Sequence, residues 1–152
     1  MIEIDTKLNP RVLEKDLSHF WDLSGLKIET LSKEYDASQG TPVFTVEGKY
    51  TTRGWTEWTQ GFQFGSAIIQ YDATGDSEFL DIGRQATVEH MASHVTHFGV
   101  HDHGFNNVST YGALRRLMFE GRLPFDQWEL NFYEMALKSS AAVQAYRWSE
   151  TI

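Results

Sequence analysis

The sequence predicts an all-α fold of antiparallel helical hairpins. Apolar residues recur three and four apart over most of the 152 residues, helix-stop glycines alternate with capping Asp or Asn residues, and strand-like runs are confined to one short segment. That segment, near residues 40–55, is glycine-rich and reads as a loop or small hairpin. The length fits a single domain spanning 1–152, with 41% hydrophobic and 14% aromatic residues to build its core.

Asn9-Pro10 opens the first helix, Asn as cap and Pro at the first helical position. Leu13, Leu17, Phe20, Trp21, Ile28 and Leu31 then keep helical spacing, so a helix is expected from Pro10 to Tyr35. From Asp36 to Thr56, Gly40, Pro42, Gly48 and Gly54 interrupt the β-branched runs Val43–Val46 and Lys49–Thr52. A second helix is expected from Thr56 or Glu57 to Thr74, stopped by Gly75 and apolar nearly all round, as a buried helix is. Asp76 caps a third, whose stripe is Phe79, Ile82, Gly83, Ala86 and His90. The tight turn between them makes the pair antiparallel. A loop over Gly99–Asn107 leads to a fourth helix, Val108–Glu120, ending at Gly121. Asp126 caps a long fifth helix with two apolar faces, one carrying Trp128, Phe132, Met135 and Tyr146, the other Leu130, Tyr133, Leu137 and Trp148. Two faces need two neighbours, which predicts self-association or contact with a further portion of a larger domain.

Composition narrows the function classes. A formal charge of −8 with no block of Lys or Arg argues against nucleic acid. No stretch approaches the length of a membrane span and the start lacks a secretory pattern, so no membrane partner and a cytoplasmic location are expected. Cysteine is absent, which removes disulfides and thiolate metal sites. Five Trp, six Tyr and ten Phe are rich for this length and suit stacking on flat apolar ring faces, including those of sugars.

Three constellations carry candidate chemistry. Five of the six histidines lie between His90 and His103. His90 and His94 have the i, i+4 spacing of a metal pair, which His101 or Asp102 would complete. The gap residues Met91-Ala92-Ser93 lack the glutamate of a zinc-protease helix, so a hydrogen-bonded core or rim histidine is the favoured reading, and no metal or cofactor is assigned. Asp102 sits between His101 and His103 before Gly104-Phe105, a setting for a carboxylate of controlled protonation or, more plainly, for a turn or helix cap. Trp58-Thr59-Gln60-Gly61-Phe62-Gln63-Phe64-Gly65 opens the second helix with two glycines four apart. These admit either a ligand beside Trp58 or a closely packed helix, and spacing favours the helix.

Together these residues resemble the unsaturated glucuronyl hydrolases, glycoside hydrolase family 88 and its relatives. The likeness lies in the ordered set Trp58-Thr-x-Gly61-Phe-x-x-Gly65, Thr74-Gly75-Asp76 and His101-Asp102-x-Gly104-Phe105, and covers about Gly54 to Trp148. It implies an (α/α)6 toroid of six helical hairpins, and hydrolysis of an oligosaccharide ending in a 4,5-unsaturated uronic acid by hydration of its C4=C5 bond. The resemblance makes Asp102 the acid of the catalytic centre, His101 its substrate-binding neighbour and Trp58 the stacking aromatic. His103 stands in the same substrate-binding motif where the family carries an apolar residue. The family's proton donor has no counterpart here. Twelve helices of about 12 residues with their loops need roughly 200 residues or more, so the chain is expected to be the N-terminal part of such an enzyme. Lys49 and Arg53 are candidate partners for the uronate carboxylate. An epimerase or another glycosidase on a related toroid, or a non-catalytic saccharide-binding module, would use the same aromatics and loop acid.

Overall fold

The computed structural model describes residues 4, 5, 7, 9–53 and 58–150. Its helices are α1 (Glu14–Glu34), α2 (Gln60–Thr74), α3 (Ser77–His90), the short α4 (Ala92–Val95), α5 (Ala113–Phe119) and α6 (Gln127–Tyr146). A π-helical stretch, Gly104–Gly112, runs directly into α5. The one sheet among the described residues is an antiparallel hairpin of β1 (Pro42–Val46) and β2 (Lys49–Thr52). It turns through Glu47 and Gly48, both at positive φ (50° and 78°), as a two-residue hairpin turn requires. No helix among the described residues is long and apolar enough to cross a membrane.

Most element ends follow local chemistry. Asn9 Oδ1 accepts from Arg11 N–H at 3.1 Å, capping a hydrogen-bonded turn that precedes α1 proper. Gly75 ends α2 at φ 76° and donates to the Tyr71 carbonyl; Asp76 then accepts from Glu78 N–H at 3.0 Å to start α3. Gly121 closes α5 at φ 69°, and Asp126 accepts from Glu129 N–H at 2.8 Å to start α6. The expected start of the second helix at Thr56 or Glu57 lies outside the described residues. Trp58 and Thr59 form a turn ahead of Gln60.

Two expectations are corrected. The segment 99–107 is not wholly loop: helix begins at Gly104, so Asn106 and Asn107 sit on its inner face. Gly and paired Asn favour turns, but both Asn side chains are buried and hydrogen-bonded, and this tertiary pairing overrides local preference. Second, α2 is not buried all round, since Phe62 and Ile69, seven apart, form an exposed stripe.

The core gathers Phe64 and Ile68 of α2, Leu80 of α3, Tyr111, Leu114 and Leu117 of the fourth helical segment, and Leu130 and Tyr133 of α6. Glycine sets how closely these elements approach. A Cβ on Gly61 would lie 2.3 Å from the Asn106 Cα and the Phe105 carbonyl oxygen, and one on Gly65 would lie 2.6 Å from the Ser109 carbonyl oxygen. The glycine pair is therefore a helix crossing, backbone against backbone. Gly83 does the same for α3, where a Cβ would meet Ile68 Cγ1 at 2.6 Å. Of the two apolar faces of α6, the Leu130–Tyr133 row is buried, while Trp128, Met135 and Tyr146 are exposed. Leu17, Phe20 and Leu23 leave the first half of α1 uncovered in the same way, as does Val12 in the turn before it.

Gly61→Ala must push α2 away from the 104–112 segment, and a destabilisation of about 2–3 kcal/mol is expected from such overpacking. Gly104→Ala is the control, since nothing lies within 4 Å of its added Cβ, and urea midpoints of the two variants should differ accordingly.

Candidate functional site

The crossing at Gly61 and Gly65 brings the two ends of the 58–105 stretch together. Trp58 comes from the turn just before α2, Phe62 from the first turn of α2, and Phe105 from the first turn of the 104–112 segment. Their ring centroids are 5.7 Å (Trp58–Phe62), 5.8 Å (Trp58–Phe105) and 5.3 Å (Phe62–Phe105) apart. All three remain half exposed, at 46%, 43% and 49%. They form an apolar aromatic platform, and Phe105 stands one helical turn beyond Asp102. The Asp102 side chain is 20% exposed and has the His101 Nε2 at 3.5 Å; His101 itself is 84% exposed. Asp102 and His101 thus directly precede the helical segment that carries Phe105, with the Asp102 carbonyl accepting from Asn106 N–H at 3.2 Å.

His103 points the other way and is 3% exposed. Its Nε2 lies 2.7 Å from the His97 carbonyl oxygen, which can only accept, and its Nδ1 lies 2.8 Å from Ser140 Oγ. Ser140 in turn accepts from Asn107 Nδ2 at 3.1 Å. Both ring nitrogens of His103 are therefore engaged within the chain, and the residue anchors the 96–103 loop to α6. Gln144 reinforces the anchor by donating to the Val100 carbonyl at 3.1 Å, and Arg147 by donating to the Phe98 carbonyl at 3.1 Å.

Behind the platform lies a second buried assembly. Gly61 N–H donates to Asn106 Oδ1 at 2.9 Å, which fixes that amide so that its Nδ2 faces His94 Nδ1 at 3.0 Å. Nδ1 must accept, so the imidazole proton sits on Nε2, where it is donated to Gln60 Oε1. Burial, with the nearby His97 and His103 adding to it, pushes the His94 pKa down to about 4. The spacing argument for a His90–His94 metal pair does not survive this geometry. The helix breaks at Met91, His94 turns inward with both nitrogens occupied, and His90 stacks on Phe64 at 5.5 Å. Among the described residues no group of three or more His, Asp or Glu side chains is placed to hold a metal ion.

The two cations proposed for a uronate have their own neighbours. Lys49 lines a groove of about 750 Å3 against Ser24, Ile28, Leu31 and Tyr35, and Arg53 sits over the Phe44 ring at 5.9 Å. Sequence reading missed Gln60, Asn106, Asn107 and Ser140, the polar residues that hold the site. Their one signal was an uncharged polar residue in an otherwise apolar setting, which on its own does not separate a buried partner from an exposed one. Comparison with protein-family profiles, with curated proteins and with solved structures gives no match in any of the three.

His94 makes stability depend on pH with a definite sign. The unfolded imidazole takes up its proton near 6.5 and the folded one only near 4, so between these values the unfolded chain holds more protons. The stability His94 contributes is complete above about pH 6.5 and is lost as pH falls through about 4, a change of roughly 3 kcal/mol. Urea midpoints measured across that window should fall for the wild type and change less for His94→Asn.

Proposed function

We propose that the chain supplies the saccharide-binding rim and one catalytic acid of a glycoside hydrolase acting on oligosaccharides with a terminal 4,5-unsaturated uronic acid. The observation that carries this reading is the platform of Trp58, Phe62 and Phe105 beside Asp102. Three half-exposed rings, tilted or edge-on to one another (interplanar angles of 86°, 56° and 43°), offer an apolar aromatic patch, and a single ring face within it suffices for a pyranose face to stack on. In this reading the carboxyl group of Asp102, one helical turn before Phe105, acts on the bound ring. The chemistry is hydration. A proton delivered to C4 leaves positive charge on C5 and the ring oxygen, water adds at C5, and the hemiketal opens to release the neighbouring sugar. One carboxyl must give the proton and a carboxylate must activate the water. Asp102 takes one of these roles, with His101 as its exposed neighbour for a substrate oxygen. His103 is assigned to holding the loop.

In this reading the helical hairpins are part of an (α/α)6 toroid. The exposed rows of α6 (Trp128, Met135, Tyr146) and α1 (Leu17, Phe20, Leu23) are where its further helices pack. A non-catalytic saccharide-binding module is the second reading, because the platform alone suffices for binding.

Proton NMR of the chain with an unsaturated glucuronyl disaccharide, following the C4 alkene proton, separates these. Broadened sugar lines that Trp58→Ala weakens about tenfold in affinity are expected for the platform, the loss of about 1.4 kcal/mol being typical of one stacked ring. Disappearance of the alkene signal, abolished in Asp102→Asn with binding retained, is the hydrolase result. Binding without turnover in the wild type favours the module. Sharp sugar lines and a persistent alkene signal would overturn both.

A further inference from the structure

The buried assembly behind the platform works in only one protonation state. We infer, building on the saccharide reading of the platform, that His94 is a positioning residue that holds Trp58 and Phe62 in register with Phe105 and Asp102 through its Nε2–H imidazole. Three separate elements meet at this ring: α2 through Gln60, the 104–112 segment through Asn106, and α4, which carries His94 itself. Asn106 then passes the connection back to α2 at Gly61 N–H, closing a ring of hydrogen bonds around the helix crossing.

The ring has no slack. A second proton on His94 would put an N–H on Nδ1 against Asn106 Nδ2, donor facing donor. Rotating the Asn106 amide would give Nδ1 its acceptor but turn the NH2 onto Gly61 N–H, so one bond is lost either way. Gly61 cannot retreat without opening the crossing, because its backbone already touches Asn106 and the Phe105 carbonyl. A protonated His94 therefore separates either α4 from Asn106 or Asn106 from α2, and the second movement carries Trp58 and Phe62 away from Phe105. The groups facing His94 are Gln60 on α2 and Asn106 and Asn107 on the 104–112 segment, none of them charged. His97 and His103 are the titratable groups acting on it, and both disfavour the second proton. The lock thus stays shut at neutral pH and opens only in acid.

The test is NMR of the chain with labelled histidine and aromatic rings, titrated from neutral pH down through about pH 4, with circular dichroism recorded alongside to exclude global unfolding. In the wild type the ring signals of Trp58, Phe62 and Phe105 are expected to move with the His94 titration, and in His94→Asn to stay fixed over the same range. Asn106→Asp is the decisive second variant. Its carboxylate would accept from both Gly61 N–H and His94 Nδ1–H, so the His94 titration should rise to or above the ordinary value of 6.5 with the platform signals unmoved at neutral pH. Platform signals that ignore the His94 titration, or that move identically in His94→Asn, would overturn the inference, as would an Asn106→Asp chain in which His94 still titrates near 4. If the signals follow His94 but the unsaturated disaccharide leaves the wild-type platform unchanged at neutral pH, positioning by His94 stands and the saccharide reading falls.

Discussion

Backbone contact between α2 and the 104–112 segment is the constraint on which the rest of the site depends. Helices usually keep their axes apart by the width of their side chains, but Gly61 and Gly65 remove that spacing on one face of α2, and the partner backbone fills it. Such closeness leaves little apolar area to bury, so the crossing needs directional bonds. Asn106 supplies them, accepting from Gly61 N–H and donating to His94. The π-helical winding of the partner belongs to the same solution: buried positions 106, 107, 110 and 111 fall on one face, which brings both Asn side chains inward.

The platform is a consequence of this crossing. Trp58 and Phe62 begin one element, Phe105 begins the other, and rings at the starts of two closely crossed helices must meet. Asp102 lies one helical turn before Phe105, in a loop that is tied to α6 through His103, Ser140 and Gln144. Rings held by backbone packing and a loop held by hydrogen bonds lose little further entropy if a ligand binds there.

Much of this was legible in the sequence, and what was not has a common cause. The caps at Asp76 and Asp126, the stops at Gly75 and Gly121 and the Glu47-Gly48 turn are local signals, decided within a few residues. The Gly61–Gly65 pair was readable as a packing motif, though not its partner. Asn106 and Asn107 were read as loop, and the partners of the hydrogen-bonded His94 were not legible, because these roles are set by contacts between residues 12 to 45 positions apart. Two Asn shortly after a glycine look like loop until Asn106 is found against the buried His94 imidazole and Asn107 against the His94 carbonyl and Ser140. The i, i+4 histidines look like a metal pair until the helix is seen to break between them. His103 shows the same limit: beside Asp102 in sequence, it faces the opposite side of the loop.

The claim that the glycine crossing creates the platform is tested most directly by proton NOE measurements on the free chain. Cross-peaks between the Phe62 and Phe105 rings, whose centroids lie 5.3 Å apart, are expected in the wild type. They should vanish in Gly61→Ala while those between Tyr111 and Phe132, 5.6 Å apart elsewhere in the fold, remain. Missing Phe62–Phe105 cross-peaks in the wild type, or their full persistence in Gly61→Ala, would contradict the account.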